Sequence, residues 1–203
     1  MTRPAGNPLR PAIFLDRDGT LNREVDYLRR VEDLELLPGV VTALESLQRA
    51  GYALVVVTNQ SGVARGLLTE QTLGRIHARL ADLLVDAGVA LLDILWCPHH
   101  PDLPEGAPHG ACPCRKPAPG MLLEAASRHG LDLANSWTVG DGERDAAAGL
   151  AAGTHAALVA TGKTPAGASP SIRGITVPLF ADLEAFAAHV LASSGTEGSG
   201  QEA

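Results

Sequence analysis

Short apolar runs alternate with amphipathic helical patterns from residue 12 to residue 160 of this 203-residue chain. The run YALVVVTN at 52–59 is rich in β-branched residues, which is typical of a strand buried on both faces of a parallel sheet. Between such runs, apolar residues recur three and four positions apart, which indicates helices that cover a sheet. The predicted strands are 12–16, 52–59, 90–98, 136–141 and 155–160, and the predicted helices are 40–51, 69–88, 119–130 and 143–153. This order predicts a three-layer α/β fold, a parallel sheet with helices on both faces.

The length fits a single domain, which we expect to span residues 11–192. Residues 1–10 form a Pro-rich arm that we expect to be flexible, and residues 193–203, rich in Gly, Ser and Glu, are predicted to be a disordered tail. We find no targeting signal and no apolar run of about 18 residues, the length that a membrane span needs. A cytoplasmic protein without a membrane partner is therefore expected.

The formal net charge of −7 argues against nucleic acid or an anionic membrane as a partner held by bulk charge. Only 3 % of the residues are aromatic, so Ala, Leu and Val must fill the core. The sequence shows no signal for an oligomer, and we expect a monomer.

Polar residues follow the predicted strands at the points where they end. Asp16 and Asp18 follow the first strand, and Asp141 follows the fourth. Asp18-Gly19 alone is typical of an ordinary turn, but a free charge on Asp16 at the end of an apolar strand is energetically costly, which favours a functional role. Ligand sites in open α/β sheets lie at the carboxyl ends of the strands. The carboxylates therefore predict a Mg²⁺ site in which one of Asp16 and Asp18 attacks phosphorus while the other handles the leaving-group proton.

Two further groups in the sequence suit a phosphate. Thr58 and Asn59 end the second strand, where a hydroxyl and backbone N–H groups could hold phosphate oxygens, although a simple strand-end turn gives the same pattern. Lys116 is one of only two lysines and precedes a helix in Cys-Arg-Lys-Pro. A compact ammonium there could neutralise a transferring phosphoryl group, and the alternative is a solvated surface lysine.

The three cysteines lie in two pairs with one intervening residue, Cys97-Pro-His99 and Cys112-Pro-Cys114. Three thiolates and one imidazole complete a tetrahedral Zn²⁺ site with no open position, which predicts a structural zinc that holds the loop 97–114. His100 and His109 are rival nitrogen ligands to His99. His77 and His155 are interpreted as ordinary structural or surface histidines.

Four segments resemble, in order, the motifs of haloacid-dehalogenase (HAD)-type phosphatases: FLDRDGTLN (14–22), VVTNQSG (56–62), CRKPAPGM (114–121) and VGDGERD (139–145). The resemblance implies a three-layer, Rossmann-like HAD fold without a large cap domain. It implies that Asp16 is the nucleophile, forming an aspartyl-phosphate, and that Asp18 is general acid and then general base. Thr58 and Lys116 would stabilise the phosphoryl group. The implied Mg²⁺ ligands are Asp16, the backbone carbonyl of Asp18, and Asp141.

Within these phosphatases, CPHHP and CPCRKP resemble the zinc-bearing heptose-bisphosphate phosphatases, which remove the C7 phosphate of a heptose 1,7-bisphosphate, and the related histidinol-phosphate phosphatases. The length of the zinc loop and the segment 21–40 favour the heptose enzymes. The resemblance implies a small phosphorylated sugar as the substrate. The implied substrate-binding residues are Glu24, Asp26, Tyr27, Thr58, Asn59, Gln60, Ser61, Arg115 and Lys116, with Arg115 at the distal phosphate. In one departure, Gly142 stands where these enzymes often carry lysine.

Three functional hypotheses remain open on the sequence. The first is the heptose-bisphosphate phosphatase, with Mg²⁺ and Zn²⁺ as cofactors. The second is a histidinol-phosphate phosphatase or another small sugar-phosphate phosphatase. The third is a zinc-stapled binding module that has lost catalysis, and the presence of all four motif residues argues against it.

Overall fold

Six parallel strands form the main sheet of the computed structural model, which describes residues 9–100, 102–103 and 112–194. In chain order, the strands are β1 (Arg10–Leu15), β2 (Ala53–Asn59), β3 (Asp93–Cys97), β4 (Leu131–Gly140), β5 (His155–Val159), β6 (Ser171–Ile172), β7 (Ile175–Thr176) and β8 (Leu179–Phe180). The main sheet has the order β3-β2-β1-β4-β5-β8, and β6 and β7 form a separate antiparallel pair. The predicted parallel sheet is confirmed.

Five α-helices connect or follow the strands; the first four agree with the predicted helices, and the fifth was not predicted. They are α1 (Val40–Arg49), α2 (Glu70–Asp86), α3 (Gly120–His129), α4 (Glu143–Ala152) and α5 (Leu183–Ser194) among the described residues. Thr69 caps α2, because its hydroxyl accepts a hydrogen bond from the Thr72 backbone N–H at 3.1 Å. The last helix includes Ser193 and Ser194, which the sequence assigns to the tail, and residues 195–203 lie outside the described part. Likewise β1 begins at Arg10, the last residue of the expected arm, and residues 1–8 are not described.

Side chains of the central strands alternate between two hydrophobic cores, one on each face of the sheet. In β1, Ile13 and Leu15 point to one face and Ala12 and Phe14 to the other. The first core also contains residues of α1, α2 and α5, and the second contains residues of α3 and α4. Helices therefore cover both faces, and the three-layer architecture is confirmed.

The fourth strand is longer than the sequence predicts. It begins at Leu131 instead of residue 136, and its register against β1 shifts between Pro11 and Ile13. The Ser136 hydroxyl stabilises this irregularity. It accepts a hydrogen bond at 2.8 Å from the Ala12 backbone N–H inside the sheet. A side-chain acceptor thus replaces a missing ladder bond, which strand periodicity does not reveal.

The carboxyl ends of β1, β2 and β4 are in register. Leu15 pairs with Val56 on one side and with Val139 on the other, so the residues that follow these strands come together at one edge. The connection from β1 to α1 contains one 3-10 turn, Val31–Asp33, and no separate domain. Within the described ranges, no helix is both long and apolar enough to cross a bilayer.

Candidate active site and metal centres

Three buried carboxylates meet at the carboxyl edge of the sheet. Asp16 follows β1, Asp141 follows β4, and Asp145 lies in the first turn of α4. One oxygen from each can be chosen so that all lie within 4.8 Å of one another. Burial and the charges of Asp16 and Asp145 raise the pKa of Asp141 to about 6. The Oδ1 atom of Asp141 is buried and has no hydrogen-bond partner. This concentration of negative charge and an unused oxygen fit a divalent cation such as Mg²⁺.

Lys116 is the cation that balances two of these carboxylates. Its Nζ atom lies 2.9 Å from Asp16 Oδ1 and 2.6 Å from Asp145 Oδ1, and it donates to the Val57 carbonyl at 2.6 Å. Burial opposes a charged ammonium, but the ion pairs with Asp145 and Asp16 outweigh burial and raise the pKa of Lys116. The predicted lysine is therefore a charged group in the site and not a solvated surface residue.

Asp16 is held in its ionised form. Burial alone would raise its pKa, but the charge of Lys116, and then that of Arg144, lower the pKa below the ordinary value. An ionised carboxylate at the edge of a site is the form that can act as a nucleophile.

Asn59 orients Lys116 through the lysine backbone. The Asn59 Oδ1 atom accepts from the Lys116 N–H at 3.0 Å, and its Nδ2 group donates to the Lys116 carbonyl at 3.0 Å. The sequence assigns Asn59 to substrate binding, whereas the structure shows both ends of its side chain in use against Lys116. Its observed role is to join the end of β2 to the loop that carries the lysine.

The second carboxylate of the first motif, Asp18, has different surroundings from Asp16. Its two oxygens accept from the Arg17 guanidinium at 2.8–3.1 Å, from Asn22 Nδ2 at 3.0 Å and from Gln60 Nε2 at 2.9 Å. An ionised carboxylate only accepts hydrogen bonds, so this set of donors suits a general base. Eighteen per cent of the Asp18 side chain stays exposed, which leaves it a path to a substrate.

Gly19 is required by the turn after Asp18. Its φ angle is +77°, a conformation that favours glycine, and a Cβ atom there would collide with the Asp141 carboxylate. The backbone directly after Asp18 therefore lies against Asp141. This close approach brings the first and fourth motifs into one site.

The end of β2 contributes a small polar network. The Thr58 hydroxyl is buried and accepts from Gln60 Nε2 at 2.9 Å, and Ser61 is buried beside them. The Gln60 side-chain amide bonds to Asp18, Thr58 and Arg17. Its partners, like those of Asn59, are therefore protein groups, whereas the sequence predicts a substrate contact.

The segment predicted to meet the sugar lies at the rim of this edge. Glu24 accepts from Lys163 Nζ at 2.8 Å, and Asp26 is exposed. Tyr27 has a φ angle of +59°, which is unusual for a residue with a large side chain, and the Arg65 guanidinium lies 5.7 Å from its ring centroid.

The Cys and His residues predicted as zinc ligands also converge. The Cys97, Cys112 and Cys114 sulfur atoms and His99 Nδ1 all lie within 4.8 Å of one another, and the cysteines are not joined by disulfides. Cys97 Sγ is 3.4 Å from His99 Nδ1 and 3.1 Å from Cys114 Sγ. Burial and the neighbouring thiols raise the pKa of Cys114. A Zn²⁺ ion would offset the repulsion between these closely spaced thiolates, and three sulfur atoms with one imidazole nitrogen are a donor set that suits zinc.

His100 does not join the cysteine cluster. Its Nε2 atom is 2.6 Å from Arg65, whereas His99 is the histidine beside the sulfur atoms. The other rival ligand, His109, lies outside the described residues. Arg115, which follows Cys114, donates to the His99 carbonyl at 2.9 Å and so ties the cluster to the loop of Lys116.

Several residues of the site were not assigned a site role from the sequence. Asp145 pairs with Lys116, and Arg144 lies 3.8 Å from Asp16 and 3.9 Å from Asp141. The spacing of Asp145, four residues after Asp141, is compatible with a shared helix-end site, but a first-turn acid has the same spacing. His77 is buried against Arg17, whereas His155 is exposed and stacks against Trp137.

Comparisons with known proteins agree with this geometry. A family model described as HAD-hydrolase-like matches residues 113–183. A D-glycero-beta-D-manno-heptose-1,7-bisphosphate 7-phosphatase of Photorhabdus laumondii is 41 % identical over 174 residues, which cover 85 % of this chain and 93 % of the relative. The enzyme of the same name from Escherichia coli K12 is 46 % identical over 155 residues, 75 % of this chain and 81 % of the relative.

Among solved structures, the D,D-heptose 1,7-bisphosphate phosphatase from B. bronchiseptica, complexed with magnesium and phosphate, matches with a TM-score of 0.78 and 38 % identity. The match covers 90 % of this chain and 99 % of that one.

Proposed function

Because the chain belongs to the HAD-like D-glycero-beta-D-manno-heptose-1,7-bisphosphate 7-phosphatase family, we propose that it removes the C7 phosphate from this heptose bisphosphate. The observation that carries the proposal is the buried set of Asp16, Lys116 and Asp141 at one edge of the sheet. An ionised carboxylate beside a buried ammonium suits in-line attack on a phosphoryl group. The relatives supply the substrate class.

In the first step, an Asp16 oxygen attacks the phosphorus at C7, and the bond between phosphorus and the C7 oxygen breaks. Asp18, in its protonated form, gives a proton to that oxygen, so the sugar leaves as an alcohol. Thr58 and Lys116 stabilise the charge on the phosphoryl oxygens. The product of this step is an aspartyl-phosphate on Asp16.

In the second step, Asp18 takes a proton from a water molecule as the water attacks the aspartyl-phosphate. The phosphorus bond to the Asp16 oxygen breaks, inorganic phosphate leaves, and the Asp16 carboxylate is restored. The donors around Asp18 suit the ionised form that this step needs.

We assign Mg²⁺ to Asp16, Asp141 and the backbone carbonyl of Asp18. When bound, the cation offsets negative charge on the phosphoryl oxygens during transfer. The unpartnered Asp141 oxygen and the raised pKa of Asp141 support this assignment. Asp145 supports the site through Lys116.

We assign a structural zinc to Cys97, His99, Cys112 and Cys114. The zinc would affect catalysis indirectly, through the backbone, because Cys114 directly precedes Arg115 and Lys116. The Arg115 contact to the His99 carbonyl supports this link. Fixing the loop fixes the lysine that faces Asp16.

The remaining substrate contacts fall to residues at the rim. We place the sugar near Glu24, Asp26 and Tyr27, with Ser61 beside the reacting phosphate and Arg115 at the distal phosphate. Asn59 and Gln60 serve this site by positioning Lys116 and Asp18. We further propose a cytoplasmic monomer, and three thiols gathered as metal ligands fit a reducing compartment.

A parallel assay tests the substrate assignment. The values of kcat/KM are measured with Mg²⁺ on the heptose 1,7-bisphosphate, as α- and β-anomers, and on histidinol phosphate. We expect the bisphosphate to be preferred. A higher kcat/KM for histidinol phosphate contradicts the assignment and favours the second hypothesis, and hydrolysis of neither ester favours a binding module.

A further inference from the structure

Arg17, between the two catalytic aspartates in sequence, has a side chain with no exposed surface. A buried guanidinium is stable only when its donors have acceptors. Its Nε and Nη2 groups donate to the Asp18 carboxylate at 2.8–3.1 Å, and Nη2 also reaches Gln60 Oε1 at 3.2 Å. These contacts make a planar fork that fixes the direction of the Asp18 carboxyl group.

The remaining nitrogen of the guanidinium, Nη1, contacts a histidine of α2. Arg17 Nη1 lies 3.2 Å from Nε2 of His77, which is in the middle of α2 and buried. Arginine has donors and no acceptor, so His77 must accept through Nε2 and carry its proton on Nδ1. Burial, together with the charge of Arg17, lowers the pKa of His77 to about 3, in agreement with a neutral ring.

The position of His77 is itself fixed by packing. Its neighbours along the buried face of α2, Leu73, Ile76 and Leu80, are fully buried. The imidazole therefore offers its lone pair from a rigid support. Without an acceptor at this point, Nη1 would be a buried donor with an unmet hydrogen bond, and the guanidinium would turn to find one.

We propose that His77 is a positioning residue for phosphoryl transfer, which holds Arg17 so that Arg17 aims the Asp18 carboxyl group at the leaving oxygen. The proposal rests on the role of Asp18 as general acid and base under the proposed function. It links a helix outside the four motifs to the proton-transfer step. The sequence pattern at 69–88 marks this residue only as one more position of an amphipathic helix.

The proposal predicts a loss that depends on the leaving group. A sugar alcohol must receive a proton from Asp18 as the bond from phosphorus to oxygen breaks, whereas p-nitrophenolate leaves without one. Misdirecting Asp18 therefore slows aspartyl-phosphate formation from the sugar ester more than from p-nitrophenyl phosphate. The quantity that reports this step is kcat/KM, because it covers events up to the first irreversible one.

The experiment compares His77→Leu, which has no acceptor, with His77→Gln, whose side-chain carbonyl can accept from Arg17. For His77→Leu we expect kcat/KM on the heptose bisphosphate to fall about tenfold, part of the roughly 10²–10⁴-fold that a general acid contributes. On p-nitrophenyl phosphate we expect a fall of less than about threefold. His77→Gln should recover most of the loss. Ile76→Val, which removes one methyl group from the same helix and no hydrogen-bonding group, should change kcat/KM for both esters by the same factor.

Equal losses on the two esters in His77→Leu, or no recovery in His77→Gln, overturn the proposal. The imidazole ¹⁵N spectrum of the wild-type protein provides a second test that needs no variant. It should show an unprotonated Nε2, and a proton on Nε2 overturns the proposal even if the leucine variant does not fold. If the wild type cleaves p-nitrophenyl phosphate but not the bisphosphate, the substrate assignment fails, and phenyl phosphate replaces the sugar ester as the poorer leaving group.

Discussion

Asp16 and Asp18 are two residues apart, yet their side chains have different neighbours, which suit different chemical roles. Asp16 faces the ammonium of Lys116 and has a lowered pKa, so it is ionised, as the proposed nucleophile must be. Asp18 faces the Arg17 fork, Asn22 and Gln60 and keeps an exposed edge. The division of labour between the two carboxylates therefore arises from contacts that are far apart in sequence.

Replacing Asp16 removes the oxygen that we propose attacks phosphorus. Because Asp16→Asn keeps the shape of the side chain but lacks a carboxylate, we expect kcat to fall by at least about 10³-fold. The measurement is phosphate release from p-nitrophenyl phosphate and from the bisphosphate. Asp82→Asn, a change at an exposed carboxylate on α2, is the matched control and should be neutral. Near-wild-type turnover in Asp16→Asn contradicts the assignment of the nucleophile.

The histidine that supports Arg17 also makes stability depend on pH. Burial lowers the pKa of His77 from 6.5 to about 3, so between these values the unfolded chain binds a proton that the folded chain does not. The stabilising contribution of the neutral, buried His77 is complete above about pH 6.5. As the pH falls from 6.5 toward 3, the free energy of unfolding decreases by up to about 1.4 kcal/mol per pH unit from this group.

Urea unfolding at several pH values measures this effect. The free energy of unfolding of the wild type should fall more steeply between pH 6.5 and pH 4 than that of His77→Gln, because glutamine does not titrate. Carboxylates also titrate in this range, but they are common to both proteins and cancel in the difference. Parallel curves for the two proteins contradict a buried neutral His77.

Among the elements, the strand ends determine where the carboxylates of the site lie, and the loops determine how Lys116 is oriented toward them. The ends of β1 and β4 bring Asp16 and Asp141 together, and the end of β2 adds Thr58 and Asn59. Asn59 then binds the backbone of Lys116 in a loop that follows β3. The cysteine cluster anchors the same loop from its other side.

Removing one of the proposed zinc ligands should loosen that loop. For Cys112→Ser we expect the zinc content to fall well below one equivalent per chain and the melting temperature to drop, because metal binding contributes to folding free energy. The kcat should fall as well, since the loop that carries Lys116 keeps Asn59 but loses its second anchor. His100→Ala is the control, because His100 contacts Arg65 and not the cysteines. Full zinc content in Cys112→Ser, or loss of zinc in His100→Ala, contradicts the ligand set.

Most elements up to residue 160 were predictable, because β-branched runs and helical spacing are local signals, whereas β6, β7, β8 and α5 were not predicted. The strand 52–59 and the helix 69–88 agree with β2 and α2 to within two residues at each end. The early start of β4 was not predictable, since it depends on the Ser136 hydroxyl meeting the backbone of Ala12. The motifs gave the carboxylates and Lys116, whereas the contacts of Asn59, Gln60 and His77 depend on how distant segments meet.

At the scale of the whole molecule, a net charge of −7 coexists with a site that gathers both carboxylates and cations. The charged groups of Lys116 and Arg144 lie beside these carboxylates, and the buried Arg17 pairs with Asp18. A negatively charged surface is therefore compatible with an anionic substrate, because electrostatic interactions inside a buried site are stronger than those in water. The net charge argues against nucleic acid held by bulk charge, whereas the local arrangement of charges is what suits a phosphate.

The identity of the phosphate that leaves tests the central claim most directly. The heptose 1,7-bisphosphate is incubated with the Mg²⁺-loaded protein and followed by ³¹P NMR. We predict that the C7 resonance disappears, that one equivalent of inorganic phosphate appears, and that the C1 phosphate remains on the sugar. Loss of the C1 phosphate, or an unchanged bisphosphate under conditions in which p-nitrophenyl phosphate is cleaved, would contradict the account.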